Sequence, residues 1–249
     1  MRWSILPTKI FAHRGASQFA PENTMPAFQL AYELGAEGIE TDVHLTKDLV
    51  PVLIHDEQLK RTTNGYGYVK DYTFNELKNF DAGSWFSDKF AGTSIISLDQ
   101  FLKWSKSNTL YLNIELKNNK INYQHLEKIV YEMIADYKLQ DRTILSTFNK
   151  SSVKRMRQFP DIETALLTSK RQRNLASVAK GLGAKALHIK YNLLKPKLIK
   201  QAKQENIAVR VYTVNKRSKM MKCFLHKCSG IFTDIPNRGI KYRDLFTIE

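Results

Sequence analysis

The run GIETDVHLTKDLVPVLIH, residues 38–55, decides how the rest of the chain is read. Its first six residues form an apolar strand pattern carrying two acids, Glu40 and Asp42, two positions apart. Its last five, PVLIH, read as a second strand. Only residues 44–50 separate the two, too few for the helical crossover that joins parallel neighbours. The spacing therefore predicts an antiparallel excursion: the first strand runs on, the chain turns near Lys47 and Asp48, and PVLIH returns. That return brings His55 back toward Glu40 and Asp42.

Working outward, short runs rich in Ile, Val, Leu, Thr and Tyr recur at 10–13, 110–116, 143–148, 164–168, 186–190, 208–214 and 230–233. Amphipathic stretches lie between most of them, at 24–34, 123–139, 151–159, 195–205 and 218–226. With 38–43 this makes eight strands alternating with helices over 249 residues. Count and length fit an α/β fold of the TIM (β/α)8 barrel type. A doubly wound sheet is the other arrangement such alternation allows. Neither GxGxxG after the first strand nor GxxxxGK[ST] is present, so the usual nucleotide fingerprints are missing. Residues 56–100 break the rhythm as an irregular, aromatic insertion with one short helix at 74–79, and loops of that length are usually functional. The expectation is one domain over residues 1–249 with its insertion at about 56–100.

Composition sets bounds on function. Apolar residues make up 43% and charged residues 25%, ordinary globular values that exclude fibrous and disordered classes. No apolar run reaches the roughly 18 residues of a membrane span. The first fifteen residues lack the apolar stretch and small-residue cleavage site of a secretory leader. Two cysteines, Cys223 and Cys228, are too few for a disulfide framework and suit a reducing cytoplasm, the expected location. The net charge of +15 is unevenly placed: residues 1–149 are net −2 and residues 150–249 net +17. Many basic residues of the second half fall in helical stretches, which in a barrel form the outer ring. Most of that charge is expected as solvated surface, with weak attraction to an anionic membrane as one use for it. Nucleic acid is not the expected partner.

Alternate residues of a strand share a face, so Glu40 and Asp42 point the same way, the alternative being solvent at a strand end. Glu115 is a third acid inside an apolar strand, with Lys117 two residues on. In a parallel barrel all three acids lie toward the rim where the strands end. Close carboxylates repel by about 4 kcal/mol per pair at an effective dielectric near 20. A divalent cation resolves that conflict, and an all-oxygen set points to Mg²⁺ or Ca²⁺. His13 and His55 close their strand patterns at the same rim, suited to a general acid/base pair near neutral pH. Arg14 and Lys117 add the positive charge a phosphate group needs. The combination points to phosphoester chemistry.

These residues carry a family resemblance. His13-Arg14-Gly15, Glu22-Asn23-Thr24, Glu40-x-Asp42, His55-Asp56, Arg61-Thr62-Thr63, Asp81-Ala82-Gly83, Asn113 to Lys117, Tyr212 to Asn215 and Thr233-Asp234-x-Pro236 occur in the order seen in glycerophosphodiester phosphodiesterases. The chain resembles that family over about residues 9–240. The resemblance implies a TIM barrel with a small insertion after the second histidine. It implies Glu40, Asp42 and Glu115 as ligands of one divalent cation, and His13 and His55 as the acid/base pair. It further implies Arg14 and Lys117 as phosphate contacts and Tyr212 as the aromatic wall against the glycerol or leaving group. Many relatives carry Trp at Tyr212, which leaves the leaving-group preference open.

The expected reaction is metal-assisted hydrolysis of a glycerophosphodiester, a small-molecule substrate, to glycerol 3-phosphate and an alcohol. The nucleophile is water or the substrate's own glycerol 2-hydroxyl. Two other readings are a phospholipase D-like enzyme acting on lysophospholipids and an inactive barrel that binds polyanions or anionic membranes. Oligomeric state is not legible.

Overall fold

The computed structural model describes residues 8–248. Residues 1–7, on which most of the expectation about a leader rests, and Glu249 lie outside the described residues.

Eight parallel strands close into a ring. They are β1 (Lys9–His13), β2 (Gly38–Leu45), β4 (Tyr111–Leu116), β5 (Thr143–Thr147), β6 (Glu163–Thr168), β7 (Ala186–Lys190), β8 (Ala208–Tyr212) and β9 (Gly230–Thr233). The ring closes because β1 pairs with both β2 and β9. The short β3 (Pro51–Leu53) lies antiparallel on β2, with His44 opposite Val52. The excursion expected from residues 38–55 is thus present, its turn tied by Thr46 N–H to the Val50 carbonyl at 3.1 Å. The ladder ends at Leu53 rather than at His55, although Ile54 N–H still donates to the Asp42 carbonyl at 3.1 Å. The TIM barrel expectation holds, and the doubly wound sheet is excluded by ring closure.

The outer layer is built from α1 (Met25–Glu33), α3 (Leu98–Ser105), α4 (Leu126–Asp136), α5 (Lys150–Arg155), α6 (Leu175–Leu182), α7 (Pro196–Gln204), α8 (Arg217–Leu225) and α9 (Pro236–Ile248). The short α2 (Phe74–Leu77) lies in the insertion. Helix α3 starts inside the segment expected to be irregular: Ser97 and Gln100 form a reciprocal capping box that begins it. The insertion is correspondingly shorter at its far end. Helix α4 starts later than its apolar pattern because His125 precedes it in the left-handed region, at φ 60°.

Three apolar clusters hold these layers. Strand outer faces and helix inner faces form the main core, from Ile10 and Phe28 round to Val211 and Ile235. Inside the ring, Phe11, Ile144, Ala165, Ala186 and Phe232 fill the barrel's lower part. The insertion packs on its own centre of Val52, Leu59, Val69, Leu77 and Ile95, anchored to β3 through Val52. Filled below and rimmed above by the βα loops, the barrel leaves its C-terminal mouth as the place for a site.

Candidate active site

Strand register brings the acids together. In the parallel ladders His13 pairs with Glu40 and Glu40 with Asn113; two residues higher, Asp42 pairs with Glu115. Carboxylate oxygens of Glu40, Asp42 and Glu115 lie within 4.8 Å of one another, all three side chains enclosed. At that spacing each pair of charges repels by about 3.5 kcal/mol at an effective dielectric near 20.

The cost is visible in how the acids titrate. Burial and the neighbouring Asp42 push the Glu40 carboxyl up to about 8. Burial acts on Asp42 in the same sense, but the Lys117 and Arg14 cations outweigh it and hold that carboxyl well below the usual range. Lys117 Nζ sits 2.9 Å from Glu115 Oε1 and 3.4 Å from Asp42 Oδ1. Arg14 Nε is 3.4 Å from Asp42 Oδ2. Asp42 Oδ1 is buried and accepts no hydrogen bond, and Arg14 Nε is buried and makes none. Three converging oxygen donors with an orphaned oxygen among them fit a hard divalent cation.

The first βα turn is shaped around these acids. Arg14 adopts φ 59° and Gly15 φ 83°. This turn lets Arg14 N–H donate at 2.9 Å to both the carbonyl and Oε2 of Glu40. A Cβ on Gly15 would meet the Ala27 backbone at 2.7 Å, so α1 closes on the turn only because the residue is glycine. Asn23, also left-handed at φ 57°, donates from Nδ2 to Asp42 Oδ2 at 2.9 Å and accepts from Thr41 Oγ1 at 2.8 Å.

Each candidate histidine is held by an aspartate. His13 Nδ1 is 2.7 Å from Asp234 Oδ1, and its Nε2 is 4.0 Å from Glu40 Oε2. Burial lowers the basicity of His13, yet Asp234 and Glu40 outweigh it, so it titrates above its ordinary value. His55 Nδ1 is 2.6 Å from Asp56 Oδ1. Arg61 clamps Asp56 from its other side at 2.6 Å and grips Glu22 with two bonds of 2.8 Å. Glu22 Oε1 in turn accepts from Arg14 at 2.7 Å. An unbroken ionic chain therefore runs from Arg14 through Glu22, Arg61 and Asp56 to His55. Burial raises the Asp56 carboxyl, but Arg61 and His55 hold it down to about 2.

A cavity of about 420 Å³ opens above the acids. Its wall includes both candidate histidines, Lys117, Phe148 and Tyr212. Tyr212 meets Phe148 edge-on at 6.2 Å, and its buried hydroxyl has no partner. His188, in β7, forms part of the floor with Nε2 taking a hydrogen bond from Arg210 at 3.3 Å. All eight residues singled out from the sequence thus meet at one mouth of the barrel.

The glycerophosphoryl diester phosphodiesterase family model matches residues 13–238. The chain belongs to that family. It is 41% identical over 239 residues to the uncharacterized protein YqiK of Bacillus subtilis strain 168, covering 93% of this chain and 97% of that one. It is 37% identical to a glycerophosphodiester phosphodiesterase of Caldanaerobacter subterraneus subsp. tengcongensis, covering 93% and 96%. Among solved structures, an Oleispira antarctica phosphodiesterase in complex with the product sn-glycerol-3-phosphate superimposes with a TM-score of 0.88. That pair is 28% identical, with 96% and 97% of the two chains covered.

Several supporting residues of this family member had no role assigned from the sequence. Asp234 and Asp56 orient the histidines, Asn23 steadies Asp42, and Glu22 and Arg61 tie Arg14 to His55. All stood in the matched motifs, but a motif gives order along the chain and not who touches whom. An aspartate directly after a strand-end histidine, as in His55-Asp56, was the one local signal. Among the described residues no helix is long and apolar enough to cross a membrane.

Proposed function

We propose that this protein is a metal-dependent glycerophosphodiester phosphodiesterase that hydrolyses glycerophosphodiesters to glycerol 3-phosphate and an alcohol. The observation that carries the reading is the three-carboxylate cluster within 4.8 Å, flanked by two histidines each held by its own aspartate. Glu40, Asp42 and Glu115 would hold one Mg²⁺ or Ca²⁺. When bound, that cation supplies Lewis-acid charge that polarises the phosphoryl group and makes an approaching hydroxyl easier to deprotonate.

The chain's own groups do the rest. Each histidine uses Nδ1 on its aspartate, which leaves Nε2 free to accept or give a proton at the reacting centre. His13 Nε2 sits against the carboxylate cluster, 4.0 Å from Glu40, which suits the base that takes the nucleophile's proton. His55 has the more exposed side chain, 32% against 19%, which suits the acid that protonates the departing alcohol. Arg14 Nε, buried without a hydrogen bond, and the Lys117 ammonium offset charge building on the phosphoryl oxygens. Tyr212 and Phe148 form the apolar wall along which the organic part lies.

The test is turnover of glycerophosphocholine, with lysophosphatidylcholine alongside, by wild type and Glu115→Ala in Mg²⁺ and in Ca²⁺. Loss of turnover in the variant supports the cation set; near-wild-type rates would remove it. Faster cleavage of the lysolipid would move the enzyme to the phospholipase D-like reading.

A further inference from the structure

His44 has no part in the chemistry described so far, yet it is fully enclosed on β2, just beyond Asp42. Its Nε2 is 3.1 Å from the main-chain oxygen of His55, and its Nδ1 is 3.0 Å from the Tyr123 hydroxyl. A carbonyl oxygen only accepts, so Nε2 carries the proton; in the neutral ring Nδ1 then accepts from the tyrosine. The phenol ring packs edge-on against the imidazole at 5.8 Å. His13 and His55 differ in kind: each places Nδ1 on a carboxylate and faces the cavity. His44 is bonded to two neutral groups and lies off the cavity wall.

The bond to His55 comes where the sheet stops supporting the chain. The β2–β3 ladder ends at Leu53, and Ile54 N–H makes the last main-chain bond, to the Asp42 carbonyl. The next is at the Glu57 carbonyl, which accepts from Val69 N–H at 3.0 Å. Among the described residues, no other hydrogen bond reaches the main chain of His55 or Asp56. The His44 imidazole thus stands in for a missing rung of the ladder, at the residue that carries the proposed acid. Through Tyr123 it is anchored to the loop after β4, whose Lys117 N–H donates to the Val43 carbonyl at 3.0 Å. The direction of the His55 side chain follows from where its main chain is held. So does the place of Asp56, the next residue, whose carboxylate grips His55 Nδ1 at 2.6 Å.

We propose that His44 is a positioning residue for the reaction: through the His55 carbonyl it holds the His55 ring where Nε2 meets the departing oxygen. The inference rests on the reading of His55 as the acid. In that step the P–O bond to the alcohol breaks, its electron pair stays on the oxygen, and the proton of His55 Nε2 passes to that oxygen. A displacement of about 1 Å in such a group can cost 10²-fold in rate. An alcohol that leaves as a stable anion needs no proton, so its release is indifferent to where His55 stands. A general structural role for His44 would instead damage turnover of both kinds of substrate alike.

The experiment measures kcat and KM for glycerophosphocholine and for the p-nitrophenyl ester of glycerol 3-phosphate, whose leaving group departs without a proton. His44→Leu should lower kcat on glycerophosphocholine roughly ten- to a hundredfold, leave KM within about twofold, and change the p-nitrophenyl ester by less than about threefold. His44→Gln, whose amide can still donate to the His55 carbonyl, should recover most of the lost rate. Tyr123→Phe frees only Nδ1 of His44 and should lower kcat on glycerophosphocholine alone, by a smaller factor. If His44→Leu does not fold, Tyr123→Phe decides: that selective loss supports the inference, and no loss or equal loss on both substrates overturns it. With a folded His44→Leu, equal losses on the two substrates, a change confined to KM, no loss, or His44→Gln as slow as His44→Leu would overturn the inference and leave the phosphodiesterase reading intact. Equal losses on both substrates in His55→Ala would remove His55 as the acid. No turnover of either substrate by wild type would remove the phosphodiesterase reading itself, and the inference falls with each.

Discussion

Asp234 Oδ1 lies 2.7 Å from Nδ1 of His13, so the exit of the last barrel strand fixes the side chain that ends the first. Asp234 is itself held by Asn215 Nδ2 at 2.5 Å and by Ser17 Oγ at 3.2 Å. The carboxylate sets which ring nitrogen faces the reacting centre, as in other orienting Asp–His pairs. Replacing Asp234 by Asn should therefore lower kcat with little change in KM. The loss should approach the roughly 10²- to 10⁴-fold that a positioned acid or base contributes. Steady-state kinetics on glycerophosphocholine measure it. A change confined to KM would mean that Asp234 serves binding rather than His13.

The carboxylate cluster makes a second, activity-independent expectation. Removing divalent cations with EDTA should leave Glu40, Asp42 and Glu115 repelling one another, and adding Mg²⁺ or Ca²⁺ back should raise the melting temperature. Saturation at a hundred times Kd adds about 2.7 kcal/mol. For a chain of this size each kcal/mol moves Tm by roughly 2–4 °C, so the shift should be about 5–10 °C. Glu115→Ala should abolish the shift. Scanning calorimetry of wild type and variant with and without the cation decides it, and an equal shift in both would place the ion elsewhere.

The geometry of the candidate site was legible where two short-range rules governed it. Period-two alternation put Glu40 and Asp42 on one face, and seven residues were too few for a crossover, which turned His55 back to them. Everything that depended on distant partners stayed hidden. Asp234 is 221 positions from His13, and Arg61 is 39 from Glu22. Helix α3 was masked by the irregular loop before it, although its Ser97–Gln100 capping box is a local signal. Composition counts the charges of the basic half without placing them, and the basic residues after β6 and β7 are exposed, as expected of solvated surface. Only the adjacency of the loops after β6 and β7 gathers Arg171, Arg173, Lys195 and Lys197 round one hollow.

Gly15 links packing to the site most directly. Its φ of 83° and the 2.7 Å approach of a Cβ to the Ala27 backbone leave alanine no relaxed arrangement. Gly15→Ala should destabilise the fold by about 1–3 kcal/mol. It should also displace Arg14 N–H from Glu40, so activity should fall further than stability explains. Urea unfolding and kcat on the fraction still folded separate the two effects. A stable variant with full activity would mean that the turn relaxes freely.

Acid should also act on a network away from the site. Glu127, buried on α4, accepts from Asn118 Nδ2 at 2.9 Å and Arg155 at 2.6 Å, and from the Ser152 hydroxyl. Burial raises its carboxyl, but the bonds from Arg155 and Ser152 outweigh it, so it titrates below its ordinary value of 4.5. The folded state therefore holds this proton less tightly than the unfolded chain. Its contribution is complete above about pH 5 and is lost as pH falls through 4.5 and then through the lower folded value. Glu127→Gln should cost about 1–3 kcal/mol at pH 7, where Arg155 and Ser152 lose a charged acceptor. The gap between variant and wild type should narrow toward pH 3. Urea midpoints across pH 3–7 measure the gap, and a gap independent of pH would show that Glu127 contributes shape and not charge.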